Sequence, residues 1–159
     1  NYLMGDLNSI GEKAKAGALL FFGKARCSGC HAGAVFSDFE FHSLGLPQGA
    51  FGPHTRRRDL GRAAVTNQGE DLYKFRTPPL IAVSQTAPYG HNGTFETLEQ
   101  IVLYHVNPVP ALAAVGQKRF SKDYFEVGQL LATRDERLKY LDIDSEKELL
   151  NLLLFLETL

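Results

Sequence analysis

Cys27, Cys30 and His31 stand in the order C-S-G-C-H, and each residue type has a chemical task at that spacing. Two thiols separated by two residues share one turn and can add across the two vinyl groups of a porphyrin. The imidazole that follows then lies beneath the iron as proximal ligand. These are the only two cysteines in the chain. Other uses of a Cys-x-x-Cys pair fit less well. A thioredoxin-like redox pair requires a βαβ context, which the sequence around Cys27 lacks. A zinc site needs two more ligands at short spacing, and none is visible. A disulfide between residues three apart would be strained. The sequence therefore predicts one covalently attached c-type haem.

An iron with one histidine has an open second face, and the group placed there sets the chemistry. The single methionine, Met4, lies upstream of the motif, whereas small electron-transfer cytochromes place theirs well downstream. The options left are His42, His54, His91, His105, a tyrosine such as Tyr104, or no ligand. His105 has the strongest local case: it follows Leu98 by seven residues and Ile101 by four, so it shares the apolar face of a predicted helix. His91 sits in the turn-rich run Pro88-Tyr89-Gly90-His91-Asn92-Gly93, where it can ligate, bond a haem propionate or satisfy the loop. His42 and His54 have glycine- and proline-rich flanks and read as solvent-exposed.

The elements that must position these groups cluster at the two ends of the chain and once in the middle. Asn8 or Ser9 can cap a helix running to about Phe22, with Ile10, Ala14, Leu19 and Phe22 near one face and Gly23 as its stop. Thr97 with Gln100, and Ser145 with Glu148, form capping-box patterns before apolar stripes. A weaker helical pattern runs from about Asp123 to Leu141. Between His31 and Phe95 glycines and prolines break the chain into short pieces. So long an irregular stretch argues against a compact domain unless a large apolar cofactor serves as part of its core. The expected fold is all-α: a cytochrome c-type haem domain, 1–159, with long loops packed on one haem.

Composition bounds the rest. With 159 residues and a formal charge of −1, the chain is long enough for a core and gives no sign of nucleic-acid or polybasic membrane binding. No apolar run reaches a membrane span; the longest, 149–156, is broken by Asn151. The chain starts with Asn, and its first residues do not form a signal peptide. Because haem is attached outside the bacterial cytoplasm, an export signal, with or without a further domain, is expected ahead of Asn1, and the location expected is periplasmic.

The motif order then resembles a known family. Ala16-Gly17, Leu20-Phe21, Cys27 to His31, Asp59-Leu60-Gly61-Arg62, Phe75-Arg76-Thr77-Pro78, Thr86-Ala87-Pro88-Tyr89-Gly90-His91-Asn92-Gly93, Thr97-Leu98-Glu99 and the closing Phe155-Leu156 are similar to the C-terminal haem domain of bacterial di-haem cytochrome c peroxidases and the related methylamine-dehydrogenase maturation enzymes. The resemblance covers 9–106 and the final helix, 145–159; the stretch 107–144 is unmatched. In that family the second axial ligand ends the helix after the Thr-x-Pro motif, and is methionine or tyrosine. The resemblance places His105 there, the residue reached above from the helix pattern. Bis-histidine ligation would make a closed, low-spin iron. The family also implies a calcium ion held partly by backbone carbonyls, here those of Thr86 and Pro88. Ile81 and Ala82 depart from the family's usual Arg-Asn, and Arg76 can substitute as propionate partner. The run Arg56-Arg57-Arg58 with Arg62 reads as a solvated basic loop rather than a docking surface for an acidic redox partner.

Three functions follow as expectations. The first is electron transfer as one half of a di-haem peroxidase-like oxidoreductase, partnered by a second haem domain or a small redox donor. The second is a stand-alone monohaem shuttle. The third is a peroxidase acting at this haem, with His91 or His105 as general base.

Overall fold

The chain is described by a computed structural model covering residues 4–6, 8–47, 59–115 and 124–159. His54 and the run Arg56-Arg57-Arg58 lie outside the described residues.

Two terminal helices form the frame. Helix α1 spans Glu12–Phe22 and helix α6 spans Glu146–Leu156, and they pack along each other. Small residues make the approach close: Ala14, Gly17 and Ala18 are buried with Phe21 on the packing face. A Cβ at Gly17 would run into the Asn151 carbonyl and lie 2.8 Å from Phe155 Cβ. The rings of Phe21, Phe36 and Phe155 meet edge to face at 5.4–6.4 Å, the arrangement favoured by aromatic quadrupoles.

This corrects two sequence expectations about α1. The helix begins after Gly11, without a side-chain cap. The Asn8 N–H and the Ser9 hydroxyl turn back instead to Asp6, at 3.2 and 2.8 Å. The buried face is also rotated: Leu19 is 76% and Phe22 51% exposed.

Helix α6 starts as read. Ser145 accepts from the Glu148 N–H at 3.3 Å, but the return bond from Glu148 goes to the Asp144 N–H at 2.9 Å, one residue early. Helix α3, Leu98–Val106, has both arms of its capping box: Thr97 Oγ1 accepts from the Gln100 N–H and Gln100 Oε1 from the Thr97 N–H. Helix α4, Pro108–Val115, follows at once and packs on α3.

The middle of the chain is irregular, with one correction to an all-α reading. The pair β1, Phe41–His42, and β2, Phe75–Arg76, is antiparallel, with Phe41 opposite Arg76 and His42 opposite Phe75. Apart from this pair and the short helix α2, Ala63–Thr66, tight turns carry the path, and the molecule is mostly helical. The pattern read from 123 to 141 divides into α5, Tyr124–Ala132, and a 3₁₀ turn at Glu136–Tyr140. It breaks between them where the Asp135 N–H leaves the helix to reach the Ser43 carbonyl at 2.9 Å.

Candidate haem site

The Cys27–His31 motif forms a single tight turn. Arg26 enters it with φ 52°, Cys27–Gly29 make a 3₁₀ turn, and the His31 N–H closes on the Cys27 carbonyl at 2.9 Å. Both thiols are free. Burial pushes Cys27 up to about 12 and is also the main cause that raises Cys30, where Asp38 and Asp135 add to the shift and Arg137 opposes it, so both groups sit as neutral thiols. The turn is tied outward by the Asp38 N–H, which donates to the Cys30 carbonyl at 2.8 Å.

His31 is held from outside its own turn. Its Nδ1 lies 3.1 Å from the Phe36 carbonyl. Burial lowers its pKa, and the Phe36 and Pro78 carbonyls oppose that shift. His105, in the last turn of α3, is held from inside its helix: Nδ1 lies 2.7 Å from the Ile101 carbonyl. Burial pushes His105 down to about 4, opposed by that carbonyl, while His31 and Arg134 lie close enough to disfavour its charge further. Both imidazoles are therefore neutral near pH 7. A carbonyl opposite Nδ1 places the proton there and leaves the Nε2 lone pair as the ligating atom. A pair of thiols on one turn and two neutral imidazoles with that tautomer are the donor set a c-type haem requires. The residues fit the group.

Other ligand options are engaged elsewhere. Tyr104 is fully enclosed and donates its hydroxyl to the Gly45 carbonyl at 2.6 Å. Met4 is 91% exposed. His91 stands at the surface with Nε2 2.7 Å from Asp59 Oδ2 and its ring stacked on Phe75 at 3.7 Å. Arg76 is exposed with its guanidinium 4.5 Å above the Phe39 ring. Thr86 and Pro88 lie on an exposed turn, where the Thr86 hydroxyl donates to the Val83 carbonyl at 3.0 Å.

His42 is corrected from exposed to part-buried, with only 12% of its side chain open. It lies on β1 between two carboxylates, Nε2 at 3.0 Å from Asp38 Oδ2 and Nδ1 at 2.8 Å from Asp135 Oδ2. Among the described residues, Cys30, Asp38 and His42 also bring ligand atoms within 4.8 Å of one another. Both ring nitrogens of His42 already face acids, so it acts as a hub of hydrogen bonds. Sequence reasoning also missed Arg134, Asp135 and Arg137. The one signal was a charged run after a helical pattern, which ordinarily reads as solvated surface.

No protein-family model matches the chain. Among curated proteins it is 32% identical over 160 residues to the methylamine utilization protein MauG of Methylorubrum extorquens, covering 99% of this chain and 37% of that protein. It is 35% identical over 127 residues to the cytochrome-c peroxidase IdrP1 of Pseudomonas sp. (strain SCT), covering 65% of this chain and 34% of that one. The chain is a homologue of the cytochrome-c peroxidases and MauG. It spans about a third of the length of these curated relatives. The fold is shared with a MauG-like protein associated with microbial copper homeostasis, at TM-score 0.75 and 26% identity over 99% of this chain and 49% of that one. The diheme peroxidase BthA from Burkholderia thailandensis superposes at TM-score 0.73 over 94% of this chain and 43% of that one; at 19% identity that likeness speaks for the fold alone. No helix among the described residues is long and apolar enough to cross a membrane.

Proposed function

We propose that this chain is an electron-transferring haem domain of a cytochrome-c peroxidase or MauG-type oxidoreductase in the periplasm, and that its peroxide chemistry belongs to a second haem domain of the same assembly. The observation that carries this reading is the pair His31 and His105: two part-buried, neutral imidazoles, each with Nδ1 committed to a backbone carbonyl. Cys27 and Cys30 are the attachment thiols, His31 the proximal ligand and His105 the distal one. Bound there, haem supplies a one-electron carrier.

The chain's own residues do the rest. The Phe36 and Ile101 carbonyls fix both tautomers, so neither ring would have to rotate or exchange a proton to hold the group. As neutral ligands the two imidazoles would add no charge of their own beside the group. His31 and His105 would together hold the group from both sides, and two such donors support a relay over a peroxidase acting at this site. Arg76, exposed and with no acid contact among the described residues, is assigned to a haem propionate, and the Thr86 and Pro88 carbonyls to a calcium ion shared with the second domain. His91 is assigned to the loop through Asp59 and Phe75.

The test is spectroscopic. The haem-loaded protein should give low-spin bis-imidazole optical and electron-paramagnetic spectra that cyanide does not perturb. His105→Gly should convert the iron to high spin; an unchanged spectrum refutes the assignment. A second C-x-x-C-H motif upstream in the parent reading frame supports the di-haem arrangement over the stand-alone shuttle.

A further inference from the structure

We propose that residues 133–137 form a clasp that fixes the His31-bearing turn against the His105-bearing helix, with Arg134 and Arg137 as its two positioning residues. The segment lies in the stretch 107–144, which the family resemblance leaves without a role. Each arginine reaches one of the two elements. Arg137 Nη1 donates to the Gly29 carbonyl at 3.2 Å, inside the C-S-G-C-H turn. Arg134 Nη2 donates to the carbonyl of His105 at 2.7 Å, with that of Tyr104 at 3.5 Å.

The Arg134 contact answers a need of α3. The last carbonyls of a helix have no partner within it. Here Asn107 N–H takes the Leu103 carbonyl at 2.8 Å, and the guanidinium takes the next two. A cation at this end also opposes the negative pole of the helix dipole. The His105 backbone is thus held by a charged donor from a different element.

The clasp is itself anchored. Asp135 grips Arg137 with both oxygens, Oδ1 to Nε at 3.1 Å and Oδ2 to Nη2 at 3.0 Å. The Asp135 N–H donates to the Ser43 carbonyl at 2.9 Å, and the Thr133 and Ser43 hydroxyls meet at 2.8 Å. Two residues on, Gly45 has φ +66°, and a Cβ there would lie 2.8 Å from Arg134 Cγ and 2.7 Å from the Leu130 carbonyl. The stem of Arg134 therefore crosses a position that only glycine leaves open, and the Gly45 carbonyl accepts from Tyr104, the neighbour of His105. An unbroken set of contacts runs from Gly29 to His105.

That the clasp governs iron ligation rests on the reading of His31 and His105 as ligands; the clasp itself does not. The experiment compares wild type with Arg134→Gln, Arg137→Gln and Arg134→Lys in the full-length, haem-loaded protein, measuring amide hydrogen exchange segment by segment together with the iron's low-spin signal. Arg134→Gln should accelerate exchange at 104–107 about tenfold, the factor for losing one charge-assisted hydrogen bond, and leave 27–31 unchanged. Arg137→Gln should do the reverse. Arg134→Lys, which keeps a charged donor, should restore much of the protection at 104–107 and serves alone if Arg134→Gln does not accumulate. In Arg134→Gln the low-spin signal should weaken or broaden. Exchange within about twofold of wild type at both segments in every variant, or acceleration spread evenly over α1 and α6, overturns the clasp. Selective acceleration in a protein whose His105→Gly spectrum matches wild type would uphold the clasp and remove the ligand reading.

Discussion

His31 and His105 end in the same chemical condition by opposite means. Each imidazole is neutral, and each has a backbone carbonyl opposite Nδ1. For His105 that carbonyl belongs to Ile101, one helical turn back, and the helix supplying it starts with its own capping box. For His31 it belongs to Phe36, whose φ of 55° places it in the left-handed region, and whose ring is locked between Phe21 and Phe155. One imidazole is oriented by local periodicity, the other by the tertiary core. The lesson is that the His31 side should respond to damage anywhere in the α1–α6 frame, while the His105 side should respond mainly to damage within α3 or at the arginine that meets its end.

The largest break in this comparison is Phe36→Ala. Phe36 is 5% exposed and sits in the aromatic cluster, so truncation should cost about 3–5 kcal/mol of stability. Denaturant unfolding of the haem-loaded protein measures that loss. Because the same residue supplies the carbonyl to His31, the variant should also broaden the haem spectrum, on the proposed ligation by His31, before unfolding begins. A sharp, wild-type spectrum in a destabilised protein would show that the His31 turn orients its own ring.

A smaller effect is expected from pH. Burial alone would push Asp135 up, but hydrogen bonds from the Arg137 side chain and N–H and from His42 outweigh it and hold the carboxyl down to about 2. The folded value lies below the unfolded one near 4, so the folded state is favoured while Asp135 is ionised. The contribution, on the order of 2 kcal/mol, is complete above pH ~4 and disappears as pH falls toward 2. Acid unfolding followed by amide exchange should show the 27–31 turn, reached through Arg137, loosening in that window ahead of the interior of α3. Asp135→Asn should flatten the dependence; an unaltered acid limb in that variant would take Asp135 out of the account.

Much of this was legible in the sequence, and what was not has physical reasons. The Cys27–His31 turn stood out in the sequence because its residue types have few other uses at that spacing. The α3 boundary was legible because Thr97 and Gln100 encode it locally. The face of α1 was misread because close helix packing selects small residues: Gly17 and Ala18 form the contact while Leu19 and Phe22 stay largely outside. His42 was misread because its flanking glycines and prolines suggest a surface loop, whereas its two acidic partners lie 4 and 93 residues away. Arg134 and Arg137 carry no sequence mark of their role, since a charged run after a helix is what solvated surface also looks like.

The smallest effect sharpens the comparison most. Thr97→Ala removes the hydroxyl that accepts from the Gln100 N–H at 3.2 Å, one arm of the α3 capping box. A lost N-cap costs about 1 kcal/mol, small against the whole fold but concentrated in the first turn of α3. His105 lies at the other end of that helix, where the Ile101 carbonyl and Arg134 hold it independently of the cap. Exchange at 98–101 should therefore quicken while exchange at 104–107 and the low-spin spectrum stay as in wild type. If the spectrum shifts with the cap, α3 transmits strain along its length as a rigid rod, and His105 would depend on the whole helix. If it does not shift, His105 is governed by its last turn alone, and the contrast with His31 narrows to which carbonyl each ring meets and what holds that carbonyl in place.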